Sequence, residues 1–314
     1  MRKKISIGGI WNLLKDSLSG ISEDKIFKLS ASLAYCTIFS MGPLLLMIIS
    51  LTGIFYGREA IEGKIYGQLE GFVGHDTAIQ LQHIIQSAAV IGKGKLAAII
   101  GGIALLIGAT SVFAEIQDSI NMIWGLKPKP KKGWIKLLTN RLLSFSVIVG
   151  LGFLLLVSLA FSTIIDAFSY QLQTTYPNTA VYLFYIINLI LSFLITFLIF
   201  AIVFKVLPDA DIAWKDIVIG AITTAIFFMA GKFGISFYIS KSHVGTTYGA
   251  AGSLVVLLLW IYYSSAILYI GAEFTKNYAL TYGRPIRPSD YAVGVKQIEM
   301  ESNKSLLEAA GVKP

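Results

Sequence analysis

The 314 residues are 55% hydrophobic and only 14% charged, with a mean hydropathy of +0.70 and a net charge of +8. A soluble domain carries about 25% charged residues, so this composition excludes a soluble globular protein and predicts an all-α, polytopic integral membrane protein. The lone Cys36 excludes an intramolecular disulfide, and three histidines beside it leave little material for a transition-metal site, so no metal and no cofactor is expected.

Residues 1–28 carry six Lys and Arg but no apolar run long enough for a cleavable signal. Ile7, Ile10, Trp11, Leu14, Leu18 and Ile21 recur at helical spacing. That pattern predicts an amphipathic helix, either lying on the cytoplasmic membrane surface or packed on the protein. No charge falls between Lys28 and Arg58. A span needs about 20 residues, so the first is placed at about 29–56. Pro43 in its middle removes a backbone bond and predicts a kink.

Residues 58–95 are mixed, and IQLQHIIQSA (79–88) reads as a short amphipathic helix outside the first pair of spans. His75, Asp76 and His83 match no ligand spacing and read as solvated surface. The second span is placed at about 96–120, its helix running on through Glu115, Asp118 and Asn121 to Trp124. Glu115, Asp118 and Met122 share one face. The segment KPKPKK (127–132) is a basic, proline-broken loop.

A third span is expected at about 142–165, after Arg141 and before Asp166. The fourth, about 181–204, holds Asn188, and the fifth, about 217–240, holds Lys232. The sixth, about 250–273, carries Trp260, Tyr262 and Tyr263 near its middle. Aromatics usually gather at span ends, so these three need partners inside the protein. The tail, 277–314, is polar and reads as cytoplasmic surface. The transmembrane domain thus covers 29–276.

Six spans put both termini on one side. That side collects 20 of the 26 Lys and Arg, against six on the other. The positive-inside rule then assigns both termini to the cytoplasm. It also accounts for most of the +8 without nucleic acid. Anionic lipid headgroups are the expected partner of loop 127–132.

Four blocks carry a resemblance to a known family. They are Leu33-Ala34-Tyr35 with Pro43-Leu44-Leu45; Asn121-Met122-Ile123-Trp124; Leu207-Pro208 with Trp214-Lys215-Asp216 and Gly220-Ala221; and Tyr248-Gly249-Ala250-Ala251-Gly252-Ser253 with Trp260-Ile261-Tyr262-Tyr263 and Gly271-Ala272-Glu273. In this order, over about residues 20–280, they resemble the YihY family, also called the virulence factor BrkB family and formerly labelled ribonuclease BN. Cys36 stands where the family pattern suggests an aromatic. The resemblance implies an all-helical protein of the bacterial cytoplasmic (inner) membrane. It also implies a link of some members to envelope or lipid export, and a ribonuclease label that is a misassignment.

Three functions are weighed. The first is transport or export of a lipid or other amphipathic envelope component, motivated by polar groups at membrane depth. Glu115, Asp118, Asn121, Arg141 and Glu273 would form a polar cytoplasmic mouth. Tyr35, Pro43, Asn188, Trp260, Tyr262, Tyr263 and Tyr269 would line a cavity or gate, with Asp166 and Lys232 as outer-side charges. The same groups could instead satisfy one another as ordinary interhelical glue. The second function is a non-transporting scaffold for an envelope protein partner. The third, an enzyme, is disfavoured: all three histidines fall on the outer side, and no P-loop, GxSxG or HExxH pattern occurs. Gly245-x-x-x-Gly249-x-x-x-Ser253 permits tight helix crossing, within the monomer or in a homo-oligomer.

Overall fold

A computed structural model describes residues 7–56, 95–129, 177–242, 252–289 and 292–295, with the isolated positions 79 and 150. Six helices account for most of them: α1 (Ile7–Glu23), α2 (Ile26–Tyr56), α3 (Lys95–Ile123), α4 (Pro177–Val206), α5 (Trp214–Ser242) and α6 (Gly252–Thr281). Three stretches are long and apolar enough to cross a membrane: Ile186–Val206, Trp214–Ile235 and Leu254–Thr281. α2 runs through Pro43 as one helix. The expected third span, the segment 58–94, loop residues 130–132, Arg141, Asp166, the histidines and the tail beyond residue 295 lie outside the described residues.

The all-helical expectation needs one correction. Two short antiparallel ladders form at one end of the bundle. β1 (Leu126–Pro128) pairs with β4 (Ala292–Gly294), and β2 (Ala210–Asp211) pairs with β3 (Arg287–Pro288). The tail is therefore not merely a polar trailer. α6 continues to Thr281, Gly283 closes its end on the carbonyls of Tyr278 and Ala279, and the chain returns to pair with both interhelical loops. Gly125 takes φ +66°, which lets α3 end sharply and enter β1.

Helix pairing follows small residues. α5 and α6 meet through a reciprocal arrangement: Gly220 faces Thr275, and Gly271 faces Thr224. Each threonine hydroxyl donates to the carbonyl of the glycine one turn earlier on its own helix, at 2.7 Å (Thr224 to Gly220) and 2.6 Å (Thr275 to Gly271). The polar atoms are thereby satisfied, leaving the threonine side chains packed against glycine backbone. Further along, Gly231 accommodates the Tyr263 ring, whose hydroxyl lies 3.3 Å from the carbonyls of Phe227 and Phe228. In lipid there is no hydrophobic drive between helices, so such close backbone approach is what holds them. α2 and α3 are joined by a Ser40–Ser111 hydrogen bond of 2.6 Å and by Ser32, which donates to Glu115 Oε1 at 2.6 Å.

α1 presents three faces. Leu13, Ser17 and Gly20 are buried, Leu13 against Phe274 and Tyr282 of the α6 end. Lys15, Asp16, Ser19 and Glu23 face solvent. The apolar stripe read from the sequence is divided: Leu14 and Ile21 pack partly buried against the core, while Trp11 is 71% and Leu18 67% exposed.

The glycine–threonine contact gives a test. Gly220→Val or Gly271→Val forces α5 and α6 apart and should lower stability by about 1–3 kcal/mol, the range for overpacking a filled contact. Thermal unfolding in detergent measures this. Gly234→Ala, where a Cβ meets nothing within 4 Å, should unfold like the parent.

Candidate functional site

Two features stand out: an apolar cavity between the helices and a polar knot at the end of α6. The cavity has a volume of about 440 Å3, within the range of ligand pockets. α2 contributes Leu33, Thr37 and Met41. α3 gives Val112, Phe113 and Ile116, and α4 gives Thr196, Ile199, Phe200 and Val203. Phe228 comes from α5, and Leu257, Trp260, Ile261, Ser264, Ser265 and Leu268 from α6. Its lining carries hydroxyls but no charged side chain among the described residues. Ser265 spends its proton on the Ile261 carbonyl at 2.7 Å.

One wall is aromatic. Phe200 meets Phe228 edge-on at 5.8 Å, Phe228 lies 6.3 Å from Tyr263, and Tyr263 meets Trp260 edge-on at 6.3 Å. Of the mid-helix aromatics that the sequence left needing partners, Trp260 and Tyr263 therefore find each other, and Tyr263 also meets the glycine of α5. Tyr269 is fully buried one turn below Ser265. Its hydroxyl makes no well-formed hydrogen bond among the described residues, although Ser119 is near. Tyr262 is half-buried.

The knot is centred on Lys276. Its Nζ donates to Asp24 Oδ2 at 2.7 Å and to the Ile123 carbonyl at 2.9 Å, and lies 2.7 Å from Glu273 Oε2. Asn277 donates to Glu273 Oε1 at 2.8 Å. The Glu273 side chain is 2% exposed and packs directly on Gly20 of α1, where a Cβ would overlap its carboxylate. Beside the knot, Trp124 donates from Nε1 to the Ala272 carbonyl at 3.0 Å.

A second polar set lies on the inner face of α3. Asn121 Nδ2 and Gln117 Nε2 donate to the Asp209 carboxylate at 3.1 and 3.2 Å, and the Asp209 amide donates back to Asn121 Oδ1 at 2.8 Å. This clamps the loop between α4 and α5.

The residues singled out from sequence divide accordingly. Trp260 lines the cavity, and Tyr263 backs its aromatic wall. Glu273 is in the knot and Asn121 in the clamp. Glu115 bonds Ser32, while Asp118 and Met122 lie on the exposed face of α3. Tyr35 is exposed and stacks on Phe39 at 4.7 Å. Asn188 lies on the exposed stretch of α4 with Ile186, Leu189 and Ile190. Lys232 is half-buried on α5. Sequence reasoning missed Gly20 and Asp24 as partners of the knot, and Gln117 and Asp209 as partners of Asn121. It also missed the paired Gly-x-x-x-Thr spacing on α5 and α6, which was open to inspection.

These helices, their apolar exposed faces and their glycine-mediated contacts define a helical membrane protein. More specifically, the chain belongs to the virulence factor BrkB family, matching it over residues 17–291. It is similar to proteins named UPF0761 membrane protein. That of Tolumonas auensis is 27% identical over 263 residues, 80% of each chain. That of Vibrio campbellii is 26% identical over 269 residues, 82% of this chain and 79% of the relative. The Ralstonia nicotianae protein is 24% identical over 266 residues, 83% of this chain but 57% of the relative, so the chain spans little more than half of that protein. No solved structure matches.

The knot predicts a specific loss. Lys276→Met leaves Asp24 and Glu273 facing each other without their cation and should destabilise the protein by about 3 kcal/mol or more. Adding Asp24→Asn and Glu273→Gln to the same chain should recover much of that loss. Thermal unfolding of the parent, the single variant and the triple variant in detergent reads the recovery.

Proposed function

We propose that the protein is a six-span inner-membrane protein, with both termini cytoplasmic, that binds an amphipathic envelope lipid and moves it across or out of the membrane. One observation carries the reading: the open, apolar 440 Å3 cavity lined by α2, α3, α4, α5 and α6. Uncharged walls with a few hydroxyls suit an acyl or isoprenoid chain and penalise any ion. The paired groups of the knot and the clamp sit toward the α6 end, where a polar mouth would serve the headgroup. The 20-to-six distribution of Lys and Arg supports the orientation. Asp166 and Lys232 would belong to the outer side.

A scaffold role is the second reading. It draws on Trp11 and Leu18, whose exposed stripe on α1 could dock an envelope protein. A stoichiometric partner recovered in mild detergent would favour it.

Movement of a labelled lipid by protein reconstituted in vesicles tests the first reading. Ser264→Trp, which fills the cavity, should slow movement at least about tenfold, equivalent to ~1.4 kcal/mol. Ile190→Ala, on the exposed face of α4, should behave like the parent. Equal rates for parent and Ser264→Trp, with both proteins folded, would sink the transport reading.

A further inference from the structure

We propose that the start of α5 and the β2–β3 ladder form a binding site for anionic phospholipid headgroups, built on residues other than those of the cavity and of loop 127–132. The site begins with Trp214. It is the first residue of a stretch long and apolar enough to span, Trp214–Ile235, and is 59% exposed. A large aromatic at a span boundary belongs at headgroup level. Lys205, from the last turn of α4, places its Nζ 5.7 Å from the Trp214 ring centre and 3.8 Å from Asp211. Asp211 is the register partner of Arg287 across the ladder. Arg284 is tied to the same place, because its amide donates to Asp216 Oδ2 at 3.1 Å, two residues after Trp214. Lys215, Arg284 and Arg287 are exposed.

The acidic groups nearby do not cancel this charge. Asp216 is buried, accepts the Arg284 amide and packs on Gly283. The Asp209 carboxylate is turned inward to Gln117 and Asn121. Among the described residues here, three cations are exposed, Lys215, Arg284 and Arg287, beside one exposed carboxylate, Asp211, which the partly buried Lys205 already pairs. Two guanidinium groups can hold a phosphodiester bidentately, and the Trp214 ring offers an amphipathic platform beside the acyl boundary. The occupant is therefore a phospholipid with net negative charge, held at the level where α4 ends and α5 begins. This does not depend on transport: a protein that moves nothing would still hold these headgroups.

The test uses the full chain in detergent, with bound lipids counted by native mass spectrometry after addition of phosphatidylglycerol or phosphatidylcholine. The parent should retain phosphatidylglycerol over phosphatidylcholine. Each basic residue near a membrane surface contributes about fivefold in retention. The triple variant Lys215→Gln, Arg284→Gln, Arg287→Gln should therefore lose phosphatidylglycerol by on the order of 100-fold, with phosphatidylcholine unchanged. Trp214→Ala should also weaken retention, whereas Arg287→Lys should keep most of it. Equal uptake of the two lipids by the parent overturns the proposal. So does undiminished retention by the triple variant at the parental unfolding temperature. If the triple variant fails to fold, Arg287→Gln alone, on an exposed ladder residue, decides: a loss of about fivefold supports the site, and none overturns it. Displacement of phosphatidylglycerol by millimolar inorganic phosphate would overturn the assignment to lipid.

Discussion

The Lys276 ammonium is the contact on which the polar end of the molecule depends. One cation on α6 holds the junction of α1 and α2 through Asp24, the end of α3 through the Ile123 carbonyl, and its own helix through Glu273. Three chain segments distant in sequence meet at one nitrogen. The local backbone is shaped to permit it. Lys25 adopts φ 53°, a left-handed conformation that costs a non-glycine residue on the order of 1 kcal/mol. The turn at Asp24 and Lys25 separates the end of α1 at Glu23 from the start of α2 at Ile26. Gly20 keeps the face opposite Glu273 bare. A cation shared by two carboxylates also removes most of the penalty that either acid would incur near the membrane alone.

The cavity follows from how the helices are tied at this end. Leu257, Ser264 and Gly271 are seven residues apart and share one face of α6. At Gly271 and Thr275 that face is closed by Thr224 and Gly220 of α5, with backbones in near contact. One to four turns earlier the same face carries Leu257, Trp260, Ser264 and Leu268, and space opens between them and α2, α3 and α4. Small residues draw the helices together at the knot, and bulky ones hold them apart beyond it. The aromatic wall from Phe200 to Trp260 then sets the cavity's limit on the α5 side.

The sequence revealed the apolar helices well, because membrane spans are encoded by uninterrupted runs such as 29–57 and 181–204. α2, α3 and α5 are helical over the runs read as apolar at about 29–56, 96–120 and 217–240. Partners were not legible, because they are set by distant pairings. Lys276 and Asp24 are separated by 252 positions, and Asn121 and Asp209 by 88. Polarity alone also says nothing about which way a residue faces. Asn188 and Tyr35 are polar groups in apolar helices, yet both lie on exposed faces. The two ladders escaped notice because strands of two or three residues leave no periodic signal, and they form only once α6 brings the tail back to the loops.

Taken together, these contacts separate charge from the interior space. Four carboxylates near the α6 end are engaged locally: Glu273 and Asp24 with Lys276, Asp209 with two amides, and Asp216 with a backbone amide. The cavity lining offers only apolar surface and hydroxyls. A ligand with a buried charge would lose its hydration there and gain no counter-ion, a penalty of several kcal/mol. A wholly apolar ligand would gain nothing from the paired groups nearby. The lining around Leu257, Trp260 and Phe200 therefore offers apolar contact and no partner to a charge.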